Sequence, residues 1–263
     1  MLSHMPGGYL IILPTYNERE NLPRVIDAIA QVRSGIEMPG QLLVVDDNSP
    51  DGTGTLADEL AATHDWVHVL YRAGKEGLGK AYIAGFRWAL ERDYALVIEM
   101  DCDLSHPPDA VPRLLEAAKT NDLVLGSRYV KDGGVVGWPA HRRVISQGGS
   151  FYARGWLGVP VHDLTGGYKC FRRWVLEALD LDSIHGQGYV FQIELTYRTI
   201  RLGGRVAEVP IVFEDRTVGQ SKMSTAIVLE AVWQVPALRF RALTGRLGSD
   251  TESVSRSTEG VVP

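Results

Sequence analysis

The chain is poor in the features that mark several large protein classes. It has two cysteines, Cys102 and Cys170, among 263 residues. Two thiols build neither a disulfide framework nor a zinc cluster, and they suit a reducing compartment. No uninterrupted apolar run reaches the ~20 residues that a bilayer-spanning helix needs. Mean hydropathy is −0.05, which excludes a polytopic membrane protein. Positive charge is not in excess: Lys and Arg number 27 against 32 Asp and Glu, a formal charge of −5. A protein that coats nucleic acid carries the opposite bias, so no nucleic-acid partner is expected. No charged segment followed by an apolar stretch opens the chain, so secretion is not expected. His106 and His185 stand alone without metal-ligand spacing, and no Ser-His-Asp or Cys-His arrangement stands out.

What remains is an ordinary globular mixture, 45% apolar and 22% charged, long enough to bury a sizeable core. Residues 1–8 read as a tag or N-terminal tail, with Met-Leu-Ser-His-Met resembling a cloning scar before a second start. Residues 9–243 read as one domain. Residues 244–263 are rich in Ser, Thr, Gly and charge, and are expected to be a disordered tail.

Apolar runs predict strands over 9–13, 41–45, 67–71, 95–100 and 123–126. Helical periodicity predicts helices over 19–32, 53–63, 79–91 and 109–119 between them. This alternation specifies α/β architecture with a mostly parallel, Rossmann-like sheet flanked by helices. Ligands then collect at the carboxyl ends of strands. The second half predicts a Gly-rich loop over 131–139, helices over 141–157, 171–179 and 190–202, and a strand over 205–213. A long helix over 221–243 is interrupted by Pro236.

Acidic residues gather at the strand ends. Asp101 and Asp103 follow the 95–100 strand, and side chains at i and i+2 of a strand point the same way. Paired carboxylates with open coordination suit Mg²⁺ or Mn²⁺ held jointly with a diphosphate; an acidic loop cap is the alternative. Asp46-Asp47-Asn48-Ser49 closes another strand, either to contact a base or ribose or as turn chemistry. Pro14-Thr15-Tyr16-Asn17-Glu18 closes the first. There Tyr16 can stack on a base and Glu18 can accept from one, while Asn17 with Glu20 also reads as a helix cap.

Cations lie elsewhere: Arg128 after the 123–126 strand, Arg142 and Arg143 at a helix start, and Arg216 and Lys222 around a Gly turn. Such groups suit an anionic substrate or a solvated surface. Gly74-Lys75-Glu76-Gly77-Leu78-Gly79-Lys80 matches a phosphate-loop pattern, but Ala81 stands where a metal-binding Ser or Thr is required. A glycine-rich helix start fits it better. Cys102 reads as a small packing residue.

Taken together, Pro14–Glu18, the run from Val45 to Thr53 and Asp101-Cys102-Asp103-Leu104-Ser105-His106-Pro107 resemble the inverting family-2 glycosyltransferases of GT-A fold. Gly126-Ser127-Arg128-Tyr129-Val130, Trp138-Pro139 with Arg142, and the Arg216…Ser221-Lys222 segment narrow the resemblance. They point to the dolichol-phosphate (polyprenol-phosphate) mannose synthases, over about residues 9 to 240.

The resemblance implies mannose transfer from GDP-mannose to a polyprenyl monophosphate, with a divalent metal, Mg²⁺ or Mn²⁺. It assigns Pro14, Tyr16, Glu18, Val45 and Asp46 to the nucleotide pocket. Asp101 and Asp103, with Cys102 between them where relatives more often have Ala, go to the metal and diphosphate, with Ser105 as a further ligand. Arg216 and Lys222 go to the donor phosphates, and Arg128 and Arg142 to the acceptor phosphate. Asp101, Asp103 and Arg128 would be catalytic. Asp163 would orient acceptor or sugar. A UDP-glucose-dependent polyprenyl-phosphate glucosyltransferase and a non-catalytic nucleotide-binding domain are the alternatives.

A lipid acceptor implies work at a membrane. The expected mode is peripheral attachment to the cytoplasmic face through amphipathic helices over 141–157 and 221–243 on the acceptor side. Arg142, Arg143 and Arg154 would face headgroups, and a membrane-anchoring partner or fused domain could assist.

Overall fold

The computed structural model describes residues 7–184, 186, 188–215, 225–244 and 247. Arg216, Lys222 and His185 fall outside the described residues. Strands β1 (Gly8–Thr15), β2 (Gly40–Asp46), β3 (Val67–Tyr71), β4 (Tyr94–Glu99) and β5 (Leu123–Ser127) alternate with four helices, as the apolar pattern predicts. The helices are α1 (Leu22–Arg33), α2 (Thr53–Thr63), α3 (Leu78–Leu90) and α4 (Val111–Ala117). Leu10 and Ile12 of β1 face one core, with Tyr82 and Phe86 of α3. Tyr9, Ile11 and Leu13 face a second core, with Val25 and Ile26 of α1. Coverage on both faces is why β1, β2, β4 and β5 read as continuous apolar runs rather than alternating ones.

The second half supplies β6 (Gly134–Val136), α5 (Ala140–Leu157), β7 (Lys169–Arg172), α6 (Arg173–Ala178), α7 (Tyr189–Arg201), β8 (Val206–Pro210), β9 (Val212–Glu214) and α8 (Thr225–Leu243). Seven strands form one sheet in the order β3-β2-β1-β4-β7-β5-β8. All neighbours are parallel except β7, which runs antiparallel to both β4 and β5. β6 and β9 form a separate parallel ribbon.

Four expectations need correction. The predicted helix over 171–179 begins as β7, because Cys170 and Phe171 are claimed by the sheet and the helix starts only at Arg173. The predicted strand over 205–213 is two strands: Pro210 cannot donate to a ladder, and β9 leaves the sheet to pair with β6 inside the Gly-rich loop. The first helix starts at Leu22 with Asn21 as its N-cap. Asn17 instead adopts a left-handed φ of 60°, and its N–H donates to Ser49 Oγ. Leu247 belongs to the ordered body rather than to a disordered tail, being buried with its carbonyl accepting from Arg198 Nη1 at 2.7 Å.

The topology places the site. From β1 the chain steps outward to β2 and β3, then returns to lay β4 on the other side of β1. The crevice beyond the carboxyl ends of β1 and β4 is the topological switch point. Pro14 to Glu18 and Met100 to Ser105 border it.

Candidate active site

The ends of β1 and β2 are tied together by Asp46. Its buried carboxylate accepts from Thr15 Oγ1 at 3.1 Å, Ser49 N at 3.0 Å and Ser49 Oγ at 2.6 Å. Asp46 thus organises the loop through its own protein contacts. Val45 is fully buried beside it in the core. Glu18 receives a hydrogen bond from Asn21 Nδ2 at 2.8 Å, and its main-chain N–H donates to Thr53 Oγ1. Tyr16 lies under Lys75, whose ammonium is 4.3 Å from the ring centroid. This brings the glycine-rich segment beside the β1 loop. Gly77 has φ 103° and α3 begins at Leu78, so Lys80 sits on the first turn of an ordinary helix, paired with Glu76.

Beyond β4 the carboxylates lie on a turn, since β4 ends at Glu99. The strand-alternation argument therefore does not apply to Asp101 and Asp103. The turn is shaped by Leu104, a non-glycine residue at φ 62°, a conformation such residues adopt only where surroundings enforce it. Asp103 Oδ1 enforces it by accepting from Ser105 N at 3.0 Å and Ser105 Oγ at 2.5 Å. Ser105 is thus seen holding Asp103. Asp101 is about one-third exposed and accepts from Tyr82 Oη at 3.3 Å. Its main-chain N–H donates to Nδ1 of the buried His106 at 3.0 Å, which leaves the imidazole proton on Nε2, 3.9 Å from Asp101 Oδ2.

Cys102 packs into the second core, and burial, then the charges of Glu18, Asp103 and Asp101, push its thiol well up. Among the described residues no group of three or more His, Cys, Asp or Glu could hold a metal alone. Two hard carboxylates without a soft ligand are the donor set that suits Mg²⁺ or Mn²⁺ completed by a diphosphate.

Behind this turn Glu99 and Lys169 face each other across β4 and β7, both fully buried. Burial raises the Glu99 carboxyl to about 8 against the opposing charge of Lys169. Burial likewise lowers the Lys169 ammonium to about 8. Lys169 Nζ donates to the carbonyl and Oε1 of Gln192 on α7, each at 2.6 Å.

The cation end forms beyond β5. Arg128 is buried and its guanidinium forks onto Asp163, Nε to Oδ2 and Nη2 to Oδ1, each at 2.7 Å. Nη2 also donates to Thr165 Oγ1, so Nη1 lies outside these bonds. Burial opposes both charges, but the pairing outweighs it: Arg128 is held above and Asp163 below its ordinary value. Glu208 on β8 anchors the pair by accepting from Asp163 N and Ser127 Oγ. Arg142, on the first turn of α5, donates from Nη1 to Asp215 Oδ1 at 2.8 Å and lies 4.2 Å from the Trp138 ring centroid.

The sequence reading missed Tyr82, Thr165, Glu208 and Phe213 as parts of this region, and had His106 only within the Asp101–Pro107 motif, with no role. It expected Asp163 to orient acceptor or sugar; in the structure the Asp163 carboxylate orients Arg128. A histidine five residues after Asp101 in a Pro-rich turn was the one local signal.

The glycosyl transferase family 2 model matches residues 10–180. Undecaprenyl-phosphate mannosyltransferase of Micrococcus luteus is 52% identical over 247 residues, spanning 91% of this chain and 98% of that protein. Polyprenol monophosphomannose synthase of Mycolicibacterium smegmatis is 50% identical over 240 residues, spanning 90% and 88%. Among solved structures, glucosyl-3-phosphoglycerate synthase of Mycobacterium tuberculosis with Mn²⁺, UDP and glucosyl-3-phosphoglycerate superposes with a TM-score of 0.59 at 22% identity. That match covers 92% of this chain and 80% of that one, and it bears on the fold.

Proposed function

The chain belongs to glycosyl transferase family 2, and on that premise we propose that it transfers mannose from GDP-mannose to a polyprenyl monophosphate, with inversion at the sugar carbon. The observation that carries this reading is the separation of Asp101 and Asp103 beyond β4 from Arg128 and Arg142 beyond β5. A monophosphate acceptor is already anionic and attacks without a protein base. Catalysis then reduces to aligning two anionic groups and neutralising the one that departs.

Pro14, Tyr16 and Glu18 border the nucleotide, with Val45, Asp46 and Cys102 supporting the loops that do so. Asp101 and Asp103 hold the divalent metal, with Ser105 fixing Asp103. When bound there, Mg²⁺ or Mn²⁺ neutralises charge on the leaving diphosphate. Arg216 and Lys222 are assigned to the donor phosphates on sequence grounds. Arg128, through Nη1, and Arg142 bind the acceptor phosphate, and Asp163 locks Arg128 in that orientation.

The same proposal places the protein at the cytoplasmic face of a membrane. Among the described residues no helix is long and apolar enough to cross one. Yet α5 exposes Val144, Phe151 and Trp156, and α8 exposes Trp233, Phe240 and Leu243. The helices are joined by bonds from Tyr152 Oη to Val232 O and from Arg239 to Trp156 O. Between them lies an open groove of about 570 Å³ lined by Phe151, Tyr152, Gly155, Trp156 and Arg239. Exposed apolar patches of this kind mark docking surfaces, and Arg142, the first-turn cation, starts the same α5 that carries the patch. The experiment is competition between GDP and UDP for the protein with Mn²⁺. Tighter GDP binding is expected; preference for UDP overturns the donor assignment in favour of a glucosyltransferase.

A further inference from the structure

The two ends of the site are joined by a row of rings. His106, which holds Asp101, is stacked on Tyr168 at 4.9 Å with the planes 10° apart. The ring of Phe213 meets His106 edge-on at 5.7 Å and 76°. Phe213 also meets Trp138 at 5.2 Å and 69°. The Arg128 guanidinium lies 5.5 Å from the Phe213 centroid and 5.4 Å from that of Trp138, which also carries Arg142.

The backbone around Phe213 is pinned at both ends. Ile211 N donates to Ser127 O, and Asp215 N donates to Val136 O, each at 3.0 Å. Phe213 pairs in register with Val135 of β6, and its strand neighbours Val212 and Glu214 are exposed. Asp215, two residues on, holds Arg142. Phe213 and Trp138 belong to neither of the two large hydrophobic cores; their ring contacts are with each other, with His106 and with the guanidinium groups of Arg128 and Arg142.

We propose that Phe213 is a positioning residue that sets the distance and angle between the carboxylate end of the site and its cation end. The inference rests on the functional reading above, which gives each end its substrate. The ring edge-to-face geometry matters because aromatic contacts have preferred orientations and a guanidinium is drawn to a ring face. An aliphatic side chain fills the space without supplying either. A displacement of one end by about 1 Å can cost about 10²-fold in rate without weakening binding at the other end.

The test compares Phe213→Leu and Phe213→Tyr with the wild type. Four quantities are read: kcat for mannosyl transfer, KM for each substrate, mannose released to water per mannose transferred, and Tm. Phe213→Leu should lower kcat about ten- to hundredfold, with KM for GDP-mannose and Tm close to wild type. Donor hydrolysis should rise relative to transfer, because water replaces a misaligned phosphate. Phe213→Tyr should restore both rate and ratio. Wild-type kcat and partition in Phe213→Leu overturn the proposal, as does a loss in which Tm, transfer and hydrolysis fall together. Failure of the wild type to glycosylate polyprenyl phosphate is a separate result, which overturns the functional reading and this proposal with it.

Discussion

The guanidinium of Arg128 and the carboxylate of Asp163 form a bidentate pair, with both 2.7 Å bonds shielded from water. A buried pair adds modest net stability, but removing one partner strands the other charge, which costs about 3–5 kcal/mol. Asp163→Asn should therefore lower the free energy of unfolding by an amount of that order, with a matching fall in the urea midpoint. It should also raise KM for the lipid phosphate more than KM for the nucleotide sugar. Urea denaturation and two-substrate kinetics check both.

The same pair has a pH signature. Burial alone would raise the Asp163 carboxyl, but Arg128 outweighs it and holds the group below its ordinary 3.8. A folded-state value below the unfolded one contributes stability at pH above the unfolded value, lost as pH falls through the folded value. The stability difference between wild type and Asp163→Asn should thus be constant between about pH 5 and 7 and shrink below about pH 4. Urea midpoints across that range measure it.

At the other end, Asp101→Asn and Asp103→Asn should each reduce transfer by about 10²–10³-fold while leaving Tm near wild type. In both variants GDP binding should lose its dependence on Mn²⁺. Calorimetry with and without the metal reads this independently of turnover.

Cys102 sits between these aspartates but points its thiol into the second core. Cys102→Ala should cost about 1 kcal/mol and retain transfer. The native protein should resist thiol-directed reagents there until it is unfolded, which mass spectrometry of labelled peptides reports.

Phe151 and Trp233 are each 78% exposed on adjacent helices. Burying a large aromatic side chain in an apolar phase contributes about 1.5–3 kcal/mol. The double change Phe151→Glu with Trp233→Glu should therefore weaken sedimentation with anionic liposomes by at least about tenfold, with donor binding intact.

Much of this organisation is legible in the chain itself. β1, β2, β4 and β5 are buried on both faces, so their apolar runs stand out, and Pro14, Asp46 and Asp101 mark where three of them stop. β7 is not legible: Lys169 is a fully buried charged residue in it, and its place between β4 and β5 is decided by residues far away in sequence. β6 and β9 are three residues each and exist only as a pair. The cations were visible as residue types. What the chain does not announce is how they are held, because Asp163 lies 35 residues from Arg128 and Asp215 lies 73 from Arg142. His106 looked isolated for the opposite reason: its partner is the main-chain N–H of Asp101, which has no residue signature.

Product formation tests the central claim most directly. The purified protein is incubated with GDP-mannose, a short polyprenyl monophosphate and Mg²⁺ or Mn²⁺. A mannosylated lipid phosphate of inverted configuration should form, with GDP released in equal amount. It should disappear when either the lipid phosphate or the divalent ion is withheld. Full turnover after chelation of the metal, or transfer to the lipid from UDP-glucose but not from GDP-mannose, would contradict the account.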